Sequence, residues 1–201
     1  VKLQRTIMQL IFSDMNMPST VTKSIFLAGP SPRNRHAWDW RKDAIRILQE
    51  INYNGTVFIQ EPQNLFYNNQ QNDFQWSYDN QIAWEIKGRK IADKIVFWIP
   101  RDIKGQMPGF TTNVEFGEDI SSEKIVYGRP NYAEKCKYLD LKCQLEHIKV
   151  YNNLKEMLIE TSKMLGSGSF RQKGEVNVPL FIWKSHQFQQ WYKSLLDNGN
   201  I

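Results

Sequence analysis

Short runs of consecutive apolar residues recur along this chain, and each run is closed by a glycine or a proline. Such runs are typical of strands that are covered on both faces, as in a parallel sheet between helices. The strongest of them reads DKIVFWIP. The pattern predicts strands at residues 24–29, 55–62, 93–100 and 124–128.

Between these runs, apolar residues recur at the three- and four-residue spacing of an amphipathic helix. The Asn/Gln-rich stretch 63–75 lacks that spacing and predicts a long loop. Helices are predicted at residues 37–51, 79–91, 113–122 and 145–165. The apolar sides of the first two helices are assigned to Ala37, Ala44, Leu48 and Ile51, and to Ile82, Ile86 and the hydrocarbon stem of Lys90.

Strands that alternate with helices indicate an α/β fold, with a flavodoxin-like (Rossmann-like) parallel sheet and helices on both faces. The crossovers of such a sheet are right-handed, and ligands bind outside the carboxyl ends of its strands. We therefore expect one crevice formed by the loops 29–36, 61–75 and 101–114.

The two ends of the chain differ from this alternating pattern. Residues 1–22 are interpreted as a loose N-terminal arm, and residues 23–165 as the folded domain. The stretch 166–174 has the composition of a flexible linker. It precedes an aromatic-rich segment, so residues 166–201 are predicted to dock on the core or on a second subunit of a homo-oligomer. The aromatic side chains concerned are Phe181, Trp183, Phe188, Trp191 and Tyr192.

Composition excludes several classes of function. The 201 residues carry a net charge of only +5, with no Lys/Arg patch interleaved with aromatics, which argues against a nucleic-acid partner. No run reaches the length of a membrane span, and no secretory cleavage pattern follows the first apolar run. Cys136 and Cys143 lack the spacing of a metal site and are interpreted as reduced thiols of a cytoplasmic protein.

Glu115 has two interpretations. It lies three residues after Thr112, which is the spacing of a capping box at a helix start, and the spacing alone favours that role. It also lies near the exit of the central strand, behind a glycine-containing loop, where a ligand would bind. Two further acids have similar alternatives: Glu85 as part of a solvated helix face beside Lys87 and Arg89, and Asp93 as a turn residue.

The loop AGPSPRNR at 28–35 is the second candidate feature. A tight turn of small residues after a strand can offer backbone N–H groups to a sugar or a phosphate, and Arg33 and Arg35 can pair with an anion. The loop matches neither the dinucleotide-binding glycine pattern nor the P-loop pattern. On its residues alone it is either an ordinary turn or a binding loop.

Three strings, SIFLAGPSPR, WEIKGRKIADKIVFWIPRD and MPGFTTNVEFGED, resemble the nucleoside 2-deoxyribosyltransferase-like proteins over residues 24–140. The resemblance implies a flavodoxin-like fold with Glu115 as the nucleophile. Glu85 stands where the family has an Asp, and Asp93 is the strand-opening acid. The substrate tyrosine of the family is missing from IFLAGP. The substrate-binding candidates are Gly29, Pro30, Ser31, Arg33, Trp84, Asp102 and Asn113.

The resemblance implies cleavage of the N-glycosidic bond of a nucleoside or nucleotide, with no metal and no cofactor. A carboxylate beneath the anomeric carbon stabilises and then traps the cation-like sugar. If a second base takes the sugar, the protein is a transferase; if water takes it, the protein is a hydrolase. The alternative is an inactive module of the same fold that only binds a nucleotide or an NAD derivative, because fold does not determine function.

Overall fold

A computed structural model describes residues 8–18, 20–21, 23–33, 37–68, 78–168 and 171–172. The strands of this part of the chain are β1 Gln9–Phe12, β2 Thr20–Val21, β3 Ser24–Ala28, β4 Thr56–Ile59, β5 Lys94–Trp98, β6 Ile125–Gly128, β7 Val150–Tyr151 and β8 Arg171–Gln172. The helices are α1 Trp40–Glu50, α2 Gln63–Asn68, α3 Tyr78–Ile91, α4 Phe110–Asp119, α5 Lys137–Leu145 and α6 Leu154–Leu165, and a 3₁₀ turn, Ile120–Ser122, follows α4.

Six of the described strands form one sheet in the order β1-β4-β3-β5-β6-β7, and every neighbouring pair in it is parallel. If β3 is counted as the first strand, the five neighbouring strands β4-β3-β5-β6-β7 follow the flavodoxin-like order 2-1-3-4-5. The predicted α/β class and its parallel sheet are confirmed. The strand order reverses between β3 and β5, so a crevice opens where their carboxyl ends lead in opposite directions.

Helices cover both faces of this sheet, as predicted. Successive side chains of a strand point to opposite faces. Phe26 and Phe97 therefore join a core formed with α3, α4 and α5. Leu27 and Trp98 join a second core, formed with α1 and α6. This double cover explains why the central strands are continuous apolar runs rather than alternating ones.

The prediction of a loose N-terminal arm over residues 1–22 is wrong for residues 9–12. Residues 9–12 form β1, an edge strand that pairs in parallel with β4, with Leu10 opposite Val57. Ile11 and Phe12 are buried, so this part of the chain contributes to the core. Residues 1–7, 19 and 22 lie outside the described part of the chain. A four-residue strand carries too little periodicity to be recognised without its partner.

The region predicted as one helix at 145–165 contains three elements. Helix α5 ends at Leu145, where His147 takes a positive φ of 56° and the Ile148 N–H bonds to Cys143 O. The strand β7 follows, and then Asn153 caps α6 by accepting a hydrogen bond from the Glu156 N–H at 3.0 Å. These turns divide the region because each satisfies backbone groups at a helix end.

The buried side of α3 also differs from the prediction. Ile82 and Ile86 are only half-buried and Lys90 is exposed, whereas Trp84, Glu85, Gly88 and Arg89 are buried. A Cβ on Gly88 would lie 2.7 Å from the Phe26 ring, which shows how closely this helix approaches β3. The helix thus turns polar side chains inward, which an analysis by hydrophobicity cannot detect.

Two other predicted loops contain regular structure. The stretch 63–75 begins with α2, and its residues 69–75 lie outside the described part. The linker 166–174 contains β8, which pairs antiparallel with β2. The aromatic segment beyond it also lies outside the described residues, so the proposed division at 165 stays a prediction. In the described part of the chain, none of the helices combines the length and apolarity needed to cross a membrane.

Candidate active site

A cleft of about 230 Å³ lies at the point where the strand order reverses. The loop after β3 forms one wall, the start of α4 the other, and α3 contributes its inward side. Two of the three predicted loops, 29–36 and 101–114, therefore meet here. The described lining includes no residue of the third predicted loop, 61–75, and on that side the cleft receives Gln60, which directly follows β4. Its lining includes Gly29, Pro30, Ser31, Arg33, Glu85 and Glu115.

The loop after β3 is held by buried donors that the sequence analysis did not single out. Gly29 has a φ of +147°, and a Cβ there would lie 2.2 Å from Trp98 O, so only glycine fits. Arg41 is fully buried and donates to Gly29 O at 2.7 Å and to Leu27 O at 3.3 Å. The Trp40 Nε1–H donates to Pro30 O at 3.2 Å. The loop carbonyls are thus turned towards the interior, away from the cleft.

Helix α4 starts three residues earlier than predicted, at Phe110. Its N-cap is Gly109 in the left-handed conformation, and among the described residues no side chain caps this helix end. Thr112 is therefore the third helical residue and Glu115 the sixth, which excludes the capping box. The first N–H groups of a helix have no partner within the helix, so this end presents donors and a partial positive charge to the cleft.

Glu85 and Glu115 form a buried carboxyl pair. They are 7% and 5% exposed, and their side chains share a hydrogen bond. Burial, followed by the charge of Glu115, raises the pKa of Glu85 to about 8. Burial also raises the pKa of Glu115, but Arg89 acts against that rise. Glu85 thus holds the shared proton and donates it to an ionised Glu115.

Arg89 lies beneath this pair, although the sequence analysis placed it on a solvated helix face beside Glu85. Its buried guanidinium donates to Glu115 Oε1 at 3.3 Å, to Asp119 Oδ2 at 2.6 Å and to Glu118. The hydrogen bonds fix both the charge and the direction of the Glu115 carboxylate. The solvated helix face considered for Glu85 is wrong, because Glu85 and Arg89 both point inward.

Gln81 and Gln60 also belong to the cleft without having been predicted. The Gln81 side-chain amide donates to Gln60 O at 2.9 Å and hydrogen-bonds to Glu85. The Gln60 amide donates to Ser31 Oγ at 2.9 Å. Gln60 and Gln81 flank the Asn/Gln-rich stretch 63–75, and isolated glutamine side chains give no functional signal in a single sequence.

Four predicted site residues lie elsewhere. Asp93 precedes β5 at the amino ends of the strands, where Ser24 Oγ donates to its carboxylate at 2.9 Å. Trp84 packs in the core against Phe26 and Phe58. Asp102 closes its own turn by accepting from the Gly105 N–H at 2.8 Å, while Asn113 accepts from Arg101 on the far side of α4. The described lining of the cleft includes none of the four.

Arg33 does line the cleft. Its guanidinium lies 5.7 Å from the centre of the Phe110 ring, and its backbone N–H donates to Gln106 O at 2.8 Å. Residues 34–36, which follow it, lie outside the described part. No group of three His, Cys, Asp or Glu side chains among the described residues is arranged to hold a metal ion.

No curated protein matches this chain. A family model described as nucleoside 2-deoxyribosyltransferase like matches residues 22–132, which extend from the start of β3 to beyond β6 and include Glu85 and Glu115. The match agrees with the resemblance inferred from the sequence strings. Because it extends over more than half of the 201 residues, the chain belongs to the nucleoside 2-deoxyribosyltransferase-like family.

Proposed function

We propose that this protein cleaves the N-glycosidic bond of a (2-deoxy)nucleoside or nucleotide, with Glu115 as the nucleophile, and transfers the sugar to another base or to water. Membership of the family supports an enzyme that acts on a nucleoside. The observation that carries the finer proposal is the buried Glu85–Glu115 pair in the cleft at the carboxyl ends of the strands. In this pair Glu115 is ionised, and its carboxylate is held in a fixed direction.

In the first step, a Glu115 oxygen forms a bond to the anomeric carbon while the bond from that carbon to the base nitrogen breaks. The departing base takes the electron pair and a proton from solvent on the opposite face of the sugar. In the second step, a base nitrogen or a water oxygen attacks the same carbon, loses its proton and releases the Glu115 carboxylate. Arg89 disfavours protonation of Glu115 before the first step.

Glu85 serves this chemistry by keeping the proton that Glu115 must not carry. Two adjacent carboxylates in a buried site repel one another, so one of them stays protonated near neutral pH. When the Glu115 oxygen is bound to the sugar, the Glu85 hydroxyl becomes available to a sugar oxygen. The pair also crowds the space under the sugar, which favours a 2′-hydrogen over a 2′-hydroxyl.

Arg33 and the start of α4 suit the 5′ end of the substrate. The helix N-terminus and a guanidinium both attract a phosphate, and each also bonds to a neutral hydroxyl. They lie on opposite walls of the cleft, and the Arg33 guanidinium is 5.7 Å from the centre of the Phe110 ring at the start of α4. A 5′-monophosphate is therefore compatible with this site, as is the unphosphorylated nucleoside.

The test is base release, followed by chromatography, from matched 2′-deoxy and ribo forms of four nucleosides and their 5′-monophosphates, each with and without a second free base. We expect the deoxy form of each pair to react faster. Equal rates would remove the sugar preference. A thermal shift on ligand addition with no base released from any compound would instead favour the inactive binding module.

A further inference from the structure

A second cavity lies between α4 and α5, on the side of α4 that faces away from the cleft. Its volume is about 480 Å³, within the range of small-molecule sites. Asn113 and Phe116 line it from α4, and Tyr138 and Lys142 line it from α5. Arg101, at the exit of β5, forms its floor. We call this cavity the α4–α5 groove.

Arg101 is a buried cation whose hydrogen bonds go to neutral oxygens. It is 3% exposed, and it donates to Lys135 O at 3.1 Å, to Gly109 O at 3.4 Å and to the Asn113 side-chain oxygen. In the described chain its Nε has no hydrogen-bond partner. No described carboxylate lies within ion-pairing distance of it. A buried charge of this kind calls for a counter-ion.

Two lysines add to this charge. Lys135 and Lys142 line the groove, and the described part of the chain pairs neither with an acid. Asp140, the acid within α5, is held by Arg129 at 2.7 Å, and Glu134 accepts from the Ile103 N–H at 2.7 Å. None of the described lining residues is acidic. Three like charges around one cavity repel one another unless an anion lies between them.

We propose that the α4–α5 groove is a binding site for the phosphate group of a small molecule, separate from the cleft that contains Glu115. A phosphate offers several acceptor oxygens and up to two negative charges, which match the Arg101 guanidinium and the two ammonium groups. The exposed Tyr138 ring provides a flat apolar wall for the remainder of a phosphate ester. This site does not depend on the proposed reaction.

The test is calorimetric titration of the full chain with inorganic phosphate and with phenyl phosphate. We expect one site for each ligand. Lys142→Glu and Lys135→Glu should each raise the Kd at least tenfold, because each places a negative charge against the ligand. The matched control is Lys137→Glu, an exposed lysine on α5 outside the groove, which should change the Kd less than twofold. Tighter binding of phenyl phosphate that Tyr138→Ala abolishes would identify an ester, and equal binding would identify free phosphate.

Three results would overturn the proposal. An equal loss with Lys137→Glu would show attraction to the general positive surface rather than a site. Loss of binding with Arg33→Gln but not with Lys142→Glu would place the phosphate in the catalytic cleft. No heat of binding when the wild-type chain is titrated with millimolar phosphate would show that the groove binds no phosphate. Circular dichroism checks that the variants are folded.

Discussion

At the scale of single residues, the candidate site depends on how one proton and one buried cation are distributed. Glu85 and Glu115 share a hydrogen bond in a place that disfavours two negative charges. Arg89 donates a hydrogen bond to Glu115, and its charge is the strongest influence that lowers the pKa of Glu115 but only a minor one on the pKa of Glu85, so it favours ionisation of Glu115. The carboxylate proposed as the nucleophile is therefore also the one with a fixed charge and direction.

We expect Glu115→Gln to lower base release at least about a thousandfold, equivalent to roughly 4 kcal/mol of transition-state stabilisation. An amide cannot form the bond to the sugar, whereas Arg89 keeps Glu118 and Asp119 as partners, so the fold should persist. The matched control is Glu118→Gln on the same helix, which removes a bond to Arg89 outside the cleft. Near-wild-type turnover of Glu115→Gln would refute its role as nucleophile.

The pH dependence of activity should report Glu85. Its pKa of about 8 lies above the ordinary value of 4.5, so it is protonated at neutral pH and ionises as the pH rises through about 8. We expect kcat/KM to fall over that range, because two adjacent carboxylates repel one another, and Glu85→Gln should remove this decline. A pH–rate profile of the exposed variant Glu146→Gln serves as control and should keep the decline.

The raised pKa of Glu85 should also make the stability of the protein depend on pH. Between pH 4.5 and about 8 the unfolded state releases the Glu85 proton and the folded state keeps it, so Glu85 lowers the free energy of unfolding as the pH rises. Glu85→Gln should therefore gain stability relative to wild type over that window, by at most about 1.4 kcal/mol per pH unit. Denaturant titrations at several pH values measure it, and a constant difference would contradict the assigned pKa.

At the scale of elements, α4 serves two surfaces because its sides carry different residues. Phe116 packs against Phe97 and Tyr127, with 5.4 Å between ring centres in each case, and this fixes the rotation of the helix. Glu115 is thereby directed into the cleft, and Asn113 into the α4–α5 groove. The loop after β3 opposes α4 and is equally constrained, by Gly29 and Arg41.

We expect Gly29→Ala to destabilise the protein by about 3 kcal/mol or more, since its φ is +147° and the new Cβ would overlap Trp98 O. Gly117→Ala is the matched control: it is helical, and apart from its chain neighbours and its own helix backbone no described atom lies within 4 Å of the added Cβ. That change should stabilise α4 by roughly 0.5–1 kcal/mol. Chemical denaturation measures both, and a tolerated Gly29→Ala would show that the loop can relax.

At the scale of the whole molecule, strand order sets the position of the site. The reversal between β3 and β5 opens the crevice, and helices on both faces leave the carboxyl ends of the strands accessible. The strand β1 extends the far edge of the sheet beyond β4 and does not contribute to the lining of the cleft that the structure describes. The β2–β8 ribbon joins the start of the domain to the chain after α6.

The C-terminal segment gives a prediction at this scale. Five large aromatics between residues 181 and 192 should be buried on the core or on a second subunit. A chain ending at Gln172 keeps the β2–β8 ribbon and loses these aromatics, and a chain ending at Leu165 loses both. We expect each truncation to lower the mass measured by light scattering or to cause aggregation. Unchanged mass and solubility for the chain ending at Gln172 would show that the aromatic segment is dispensable.

The α/β class, the central strands and two walls of the cleft followed from the sequence alone. Continuous apolar runs and helical spacing are local patterns, and the rule for parallel sheets places the loops 29–36 and 101–114 at one edge. The family resemblance directed attention to Glu85 and Glu115 in the same way, because it rests on short strings such as VEFGE. Local sequence patterns therefore predict which residues belong to which helix, strand or loop.

Only the tertiary structure decided which side chains meet. The pairing of β1 with β4, the inward side of α3 and the carbonyl contacts of Arg41 join residues that are far apart in the chain. It also separated Asp93, Trp84, Asp102 and Asn113 from the cleft, since one shift along a strand or a helix turns a side chain to another face. Contacts between distant segments determine the charge of Glu115 through Arg89, and no local pattern contains that contact.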